Sequence, residues 1–241
     1  MHARPVVGPL LRVRGLLVSN VFLLDGGSGD RWIIDSGHVL ERPLLLAGLR
    51  RSGFLPGEVS GVLLTHRHSD HAGNAAFLRR TFGLRVFAHR ADAEVLEGRQ
   101  RAPRLEPSSG DPIAWAFAQI ENHTRTTVPV DVALAGGEQI GSLEVHHAPG
   151  HTEGSVLYRH VGTRSLLSGD ALLAAVPPLT VAQRMTLPHP DYAVDLDQAL
   201  ASLRALHAAA LDYDNLLAGH GRPILGEARR LAEDLLASAS R

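Results

Sequence analysis

The sequence predicts a mixed α/β protein built from two similar halves. Short apolar runs bounded by Gly, Pro, Asn and Asp alternate with stretches whose leucines recur at helical spacing, in the order strands, helix, strands, helix. Several of the apolar runs end in a turn of small residues that carries a His or an Asp. With 241 residues, 44% of them hydrophobic, the chain has enough apolar side chains for a large core.

Leu16–Leu24 reads as a strand, and Arg31–Ile34 as its hairpin partner across Gly26-Gly27-Ser28-Gly29. Asp35 follows directly, either as a turn or cap residue or as a group that orients a metal-binding His from behind. Leu40, Leu44, Leu45 and Leu49 space a helix over Val39–Arg51 that stops at Gly53. Val59–Leu64 is the next strand, Ala72–Phe82 is helix-like, Leu84–Ala88 is a strand and Ala91–Leu96 a helix. Residues 98–111 are rich in turn formers, and Ile113–Ile120 then carries Trp115 and Phe117 in a short amphipathic run. Together, 98–120 reads either as a lid or pocket wall or as a surface connection whose aromatics pack on the core. Val130–Leu134, Glu138–Ile140, Leu143–His147, Val156–His160 and Arg164–Leu167 are short strands separated by glycine turns. Leu172–Pro190, with Pro177-Pro178, reads as a long loop. Val194–Ala209 is a helix, Asn215–Ala218 a strand and Glu227–Ala239 a final helix. The chain is expected to form a single domain over 1–241.

Chemistry concentrates in Thr65-His66-Arg67-His68-Ser69-Asp70-His71, four strong metal ligands within six residues at the end of an apolar run. Imidazole and carboxylate are the ligand set that suits zinc and its neighbours. His66 and His68, one residue apart, can reach a common ion from one turn. Asp70 and His71 point elsewhere and suit a second centre. Three later segments repeat the form: Leu143–His147 runs into Ala148-Pro149-Gly150-His151, Ser165–Leu167 into Ser168-Gly169-Asp170, and Leu216–Ala218 into Gly219-His220-Gly221. Gly150 and Gly154 allow the tight turn that presents His151. With no Cys in the chain, thiolate ligands, thiolate nucleophiles and disulfides are excluded.

In this order, His-x-His-x-Asp-His, Pro-Gly-His-Thr-x-Gly, Ser-Gly-Asp and Gly-His-Gly resemble the motifs of the metallo-β-lactamase-fold hydrolases, in particular glyoxalase II-like members. The resemblance spans roughly Asn20 to Gly221. It implies a four-layer αββα sandwich with the site at the edge between its sheets. It further implies that His66, His68 and His151 bind one metal ion, that Asp70, His71 and His220 bind a second, and that Asp170 bridges them. The implied cofactors are two divalent ions, zinc first, with iron or manganese as alternatives. Asp170 stands where dizinc lactamases usually lack a bridging carboxylate, so β-lactam hydrolysis is an alternative and not the first choice. The C-terminal helical domain of full glyoxalase II is not expected. Ala171-Leu172-Leu173 stands where lactone-hydrolysing relatives often place a Tyr, and the Cys-Gly-Arg of persulfide dioxygenases is absent.

The implied activity is that of a binuclear hydrolase in which hydroxide held between the ions cleaves a small ester, lactone or thioester. Asp70 is expected to accept a hydrogen bond from the nucleophile as well as to bind metal. The rival readings are a mononuclear iron oxidoreductase of the persulfide dioxygenase type and a metal-binding protein with little catalytic activity. Trp115, Phe117, Met185, His189 and Tyr192 are candidate substrate-pocket residues. His38, His89, His123, His146, His147, His160 and His207 have no ligand context and read as structural or surface residues. A formal net charge of −1, with basic residues that are all Arg and scattered, gives no attraction to nucleic acid or to an anionic membrane. No apolar run reaches the ~18 residues of a membrane span. A small-molecule substrate, a cytoplasmic location and a monomer or homodimer are the expectations.

Overall fold

The structure, a computed structural model, describes residues 3–108, 110–175 and 183–239. A first sheet holds β1 (Ala3–Val7), β2 (Leu10–Val13), β3 (Phe22–Asp25), β4 (Arg31–Ile34), β5 (Gly61–Leu63), β6 (Val86–His89) and β7 (Val132–Leu134), side by side in chain order. Its first four strands pair antiparallel and the last three extend it in parallel. A second sheet holds β8 (Gln139–Ile140), β9 (Leu143–His147), β10 (Val156–His160), β11 (Ser165–Gly169) and β14 (Asn215–Ala218). In it β9, β11 and β14 run in one direction, with β10 reversed between β9 and β11. A hairpin of β12 (Leu173–Ala175) and β13 (Gln183–Thr186) lies outside both sheets.

Side-chain alternation along the strands builds three cores. Trp32, Ile34, Leu63 and Phe87 from the first sheet meet Val145, Val156, Tyr158, Leu167 and Leu217 from the second in a central layer. The intervening Ile33, Val62, Val86 and Ala88 turn outward against Leu45, Leu49, Ala75, Leu78 and Leu96. Those residues come from α1 (Arg42–Arg51), α3 (Ala75–Phe82) and α4 (Arg90–Leu96). On the far side Leu157, Leu166, Leu216 and Ala218 pack on Leu203, Ala228, Ala232 and Leu236. The helices there are α6 (Leu196–Ala208) and α7 (Ala228–Ser238). Every residue of β5 and β6 is buried because helices cover one face and the second sheet covers the other. This is the expected αββα order. Two further helices, α2 (Ser69–Ala72) and α5 (Pro112–Thr124), stand at the end of the sandwich where β5 terminates. Among the described residues no helix is long and apolar enough to cross a membrane.

Several expected elements need correction. Residues 16–21 are not strand, because the Leu17 and Val18 amides donate to the Glu41 carboxylate and not to a neighbouring strand. The β1–β2 hairpin is additional to the expected elements, and Pro5 is tolerated in β1 because that strand lies at the sheet edge. Leu40, read as a core position of a helix, is 79% exposed on a short 3-10 turn that precedes α1. The helix expected over Ala72–Phe82 is broken into α2 and α3, where the Asn74 side-chain amide donates to the carbonyls of Ser36 and His38. The flanks of the supposed 172–190 loop pair as β12 and β13, while Pro177-Pro178 lies outside the described residues.

The turn after β9 shows how tightly the two halves of the second layer fit. Gly150 has φ of 137°, and a Cβ there would sit 2.2 Å from the Ala199 amide nitrogen in α6. A Gly150→Ala variant is therefore expected to lose about 1–3 kcal/mol through the forced shift of α6. The measurement is thermal unfolding, and an unchanged Tm would contradict this close packing.

Candidate metal centre

The first ligand segment leaves the C-terminal end of β5. His66 and His68 lie in the turn, and Asp70 and His71 in the single turn of α2 that follows. His151 follows β9, Asp170 follows β11 and His220 follows β14, the three strands of the second sheet that run the same way. The seven side chains thus converge from four strand ends, where short connections leave little freedom.

Backbone bonds hold these ends together. Val156 N donates to Thr65 O across the sheets at 2.9 Å, and Gly219 N donates to Gly169 O at 2.7 Å. Asn20 donates through its side-chain amide to Ala218 O and Gly221 O, pinning the third turn to the first sheet. At Gly219 an added Cβ would come within 2.2 Å of Asp170 Oδ1 and 2.6 Å of His71 Cε1, so only glycine leaves room for the ligands.

Within the centre, His151 Nε2 lies 3.2 Å from His66 Nε2 and 3.0 Å from His68 Nδ1. His220 Nε2 lies 3.2 Å from Asp70 Oδ2, and His71 Nε2 lies 3.5 Å from the same oxygen. Asp170 stands between the two groups: Oδ1 is 3.3 Å from His71 Nε2, while Oδ2 is 3.2 Å from His220 Nε2 and 3.8 Å from His151 Nε2. Ligand atoms 2.0–2.1 Å from one ion at tetrahedral angles are about 3.3–3.4 Å apart, close to these spacings. His71 Nε2 and Asp170 Oδ1 are buried without a hydrogen-bond partner, as atoms waiting for a cation are. The donor set and its spacing therefore fit divalent metal.

Asp35 lies behind the cluster, hydrogen-bonded to one of its imidazoles. Its Oδ2 accepts from His71 Nδ1 at 2.8 Å, which leaves His71 Nε2 to face the centre. Both its oxygens accept from the Thr65 hydroxyl, which in turn accepts from His66 Nδ1 at 3.1 Å. One carboxylate thus sets two imidazole tautomers. Asp35 holds a left-handed φ of 60° to do so, a conformation unusual for a residue with a side chain. Asp92, which sequence reasoning missed, is completely buried and accepts from Arg67 N, the Arg67 guanidinium, Thr152 Oγ1 and Gly154 N. Sitting in the first turn of α4, it looks in sequence like any helix-start aspartate.

The electrostatics divides the centre in two. Burial, reinforced by the neighbouring imidazoles, pushes His66 and His68 well below the usual histidine range. Burial also pushes His151 down to about 4. These three present neutral lone pairs. Burial opposes charge on His71 and His220 too, but the carboxylates of Asp70 and Asp170 outweigh it, raising His71 and lifting His220 to about 10. The two imidazoles return the effect: against the cost of burial they hold both carboxyl groups well below the carboxylate range.

The centre opens into a cleft of about 320 Å³ whose apolar wall includes Leu17, Leu40, Leu105, Phe117, Ile120 and Tyr192. Two of the expected pocket residues, Phe117 and Tyr192, are thus in place. Trp115 is not: it lies about 160° around α5 from Phe117 and is 60% exposed on the outer face. Met185 is buried in the core beneath α6 and α7. His189 tilts against Tyr192 with ring centroids 5.1 Å apart and is not part of the cleft lining. His38, read as structural, does line the cleft, and its Nε2 bonds to Thr124 Oγ1 at 3.3 Å. Glu121 also lines it and had no signal in the sequence, since it lies one residue past the expected amphipathic run.

A sandwich of this layering, with imidazoles and carboxylates gathered at one end of its sheets, is a metallo-hydrolase scaffold. The chain belongs to the metallo-beta-lactamase superfamily, whose profile matches residues 14–220. It is 28% identical over 154 residues to "Probable metallo-hydrolase YybB" of Bacillus subtilis, covering 64% of this chain and 61% of that protein. It is 29% identical over 154 residues to a hydroxyacylglutathione hydrolase of Cereibacter sphaeroides, covering 62% of this chain but 46% of the relative. Among solved structures it is similar to a metallo-beta-lactamase family protein of Thermus thermophilus. There the TM-score is 0.67 at 26% identity, over 96% of this chain and 79% of that one. It is also similar to a B3 metallo-beta-lactamase with an active-site glutamic acid, with a TM-score of 0.65 at 26% identity, over 100% and 92% of the two chains.

The arrangement behind the ligands gives a test. Asp35→Ala is expected to free the His71 and His66 rings and weaken metal binding by about 10–100-fold. Metal titration of the apoprotein measures it. Affinity equal to the wild type would mean that packing alone orients both rings.

Proposed function

We propose that the chain is a binuclear metal-dependent hydrolase of small esters, lactones or thioesters that carry an apolar acyl group. The observation that carries this reading is the opening of the seven-residue centre directly into an apolar cleft. His66, His68 and His151 would hold one divalent ion and Asp70, His71 and His220 another, with Asp170 placed to serve both. Zinc suits this nitrogen and oxygen set best. When bound, such ions lower the pKa of water from about 15.7 toward about 7 and stabilise charge on a carbonyl oxygen.

The chain's own residues do the rest. Asp70 turns Oδ2 toward His71 and His220, which leaves Oδ1 to accept a hydrogen bond from the attacking water. The Ser19 hydroxyl donates to Asp70 O and fixes that residue's backbone. Phe117 and Ile120 on α5, facing Leu17 and Leu40, hold the acyl group and keep solvent from its flank. The hydroxyacylglutathione hydrolase relative supports a thioester or ester reading over part of its length. Hydrolysis of β-lactams is the second reading, favoured by the likeness to the B3 enzyme and opposed by the bridging position of Asp170.

Metal-replete protein is expected to contain about two ions per chain, as two-metal hydrolytic sites do. Dialysis against a chelator should abolish ester hydrolysis, and zinc should restore it. Asp170→Ala should lose metal and activity together. A saturating content of one ion, or turnover on β-lactams but on no ester, lactone or thioester, would overturn the reading.

The wall of the cleft gives a separate expectation. Phe117→Ala should raise KM more for long acyl chains than for acetyl, because each buried methylene contributes about 0.8 kcal/mol, roughly fourfold. Trp115→Ala, on the outer face of the same helix, should leave chain-length selectivity unchanged. Kinetics on a series of p-nitrophenyl esters measures both, and a Trp115 effect equal to that of Phe117 would reverse the assigned face.

A further inference from the structure

Helix α5 is thinly packed. Of its 13 residues only Ala114 and Ala118 are buried, and two small side chains give little apolar area to hold it. An isolated helix of this length is marginal in water, so its position has to come from specific contacts. Toward the preceding segment it makes internal ties: the Asn122 side chain pairs with both N and O of Leu105, and Arg125 donates to Ala102 O. Those bonds make residues 102–125 one unit but do not fix that unit to the sandwich.

The fixing contacts fall at two places. At one, Tyr192 OH donates to Ala114 O at 3.3 Å, and Ser108 N donates to Asp191 at 3.0 Å. At the other, two side chains of α5 meet Ser69, the residue between His68 and Asp70. Ser69 N donates to Glu121 Oε2 at 2.8 Å, Ser69 Oγ pairs with Thr124 Oγ1 at 3.0 Å, and Thr124 Oγ1 also bonds to His38. Glu121 and Thr124 each lie four residues beyond one of the pair Phe117 and Ile120, on the same face of the helix. The residues that grip the ligand-bearing turn are therefore interleaved with the residues that wall the cleft.

We infer that Glu121 and Thr124 are positioning residues that latch α5 onto Ser69 and thereby set the width of the apolar cleft above the metal positions. The inference rests on the hydrolase reading for its substrate but not for its geometry. Through Ser69 the wall and the ligand turn move as one body. A substrate with a long apolar acyl group needs the wall at its latched distance, whereas an acetyl group, which does not reach it, does not. The latch is an acceptor function: the Ser69 amide needs an oxygen at Oε2, which a glutamine can also supply.

The test uses the metal-loaded full chain and hydrogen exchange followed by mass spectrometry. Removing a hydrogen bond to a charged acceptor should speed local opening about tenfold. The double variant Glu121→Ala, Thr124→Val is thus expected to exchange about tenfold faster in 112–124, with exchange in β5 and β11 and the metal content unchanged. Glu121→Gln should keep the wild-type protection of α5. In the same double variant, KM for a decanoyl ester should rise about tenfold relative to KM for the acetyl ester. Unchanged exchange of α5 would overturn the latch, and so would acceleration spread equally over the whole protein. If no ester is turned over, the hydrolase reading fails while the exchange rates still decide the latch.

Discussion

The buried carboxylate of Asp92 is the contact on which the site depends. Its two oxygens accept four hydrogen bonds, two from Arg67 and one each from Thr152 and Gly154. Arg67 lies between the first two histidines, and Thr152 follows the third. One side chain on the first layer of helices therefore joins the ligand turn of one sheet to that of the other. Burial pushes the Asp92 carboxyl upward, and the adjacent Arg67 guanidinium opposes it. Because Arg67 and Asp92 are both out of water, the pair is stable only while every lone pair is matched, and here each has a partner. The partnership fixes the relative position of the sheets where His66, His68 and His151 converge.

Gathering these groups has a cost that the surroundings offset. Five imidazoles and two carboxylates out of water repel or desolvate one another in every protonation state. The structure reduces that cost by separating neutral from charged neighbours. His66, His68 and His151 are kept uncharged, while Asp70 and Asp170 remain ionised against His71 and His220. Asp35 and Thr65 then remove the remaining freedom of two rings. This local arrangement is held at an unfavourable backbone angle by sheets whose interiors leave no alternative.

The four converging segments were legible because each follows an apolar run that ends in small residues, a pattern that strand ends share. Asp35 was half legible: its place after β4 allowed two roles, and only the position of His71, 36 residues on, decides between them. Asp92 was not legible, since an aspartate that starts a helix reads the same whether it faces water or a neighbouring turn. The cleft was the least legible part. Leu17 and Leu40 look like core residues, but they stand at its mouth, 82% and 79% exposed. Trp115 and Phe117 are two residues apart on one helix, and contacts distant in sequence, at Tyr192 and at Ser69, decide which of them faces inward.

The order of the strands has one more consequence. His220 reaches the centre at the end of β14, which lies beside β11 although 46 residues separate Gly169 from Asn215. His66, His68 and His151 come together through β5 and β9 alone, without β14. Asp70 and Asp170 meet His220 only when β14 pairs in parallel beside β11. Such non-local parallel pairing is slow to form. The full cluster of seven side chains is therefore the last feature of the sandwich to be assembled, because it is complete only when the second sheet is.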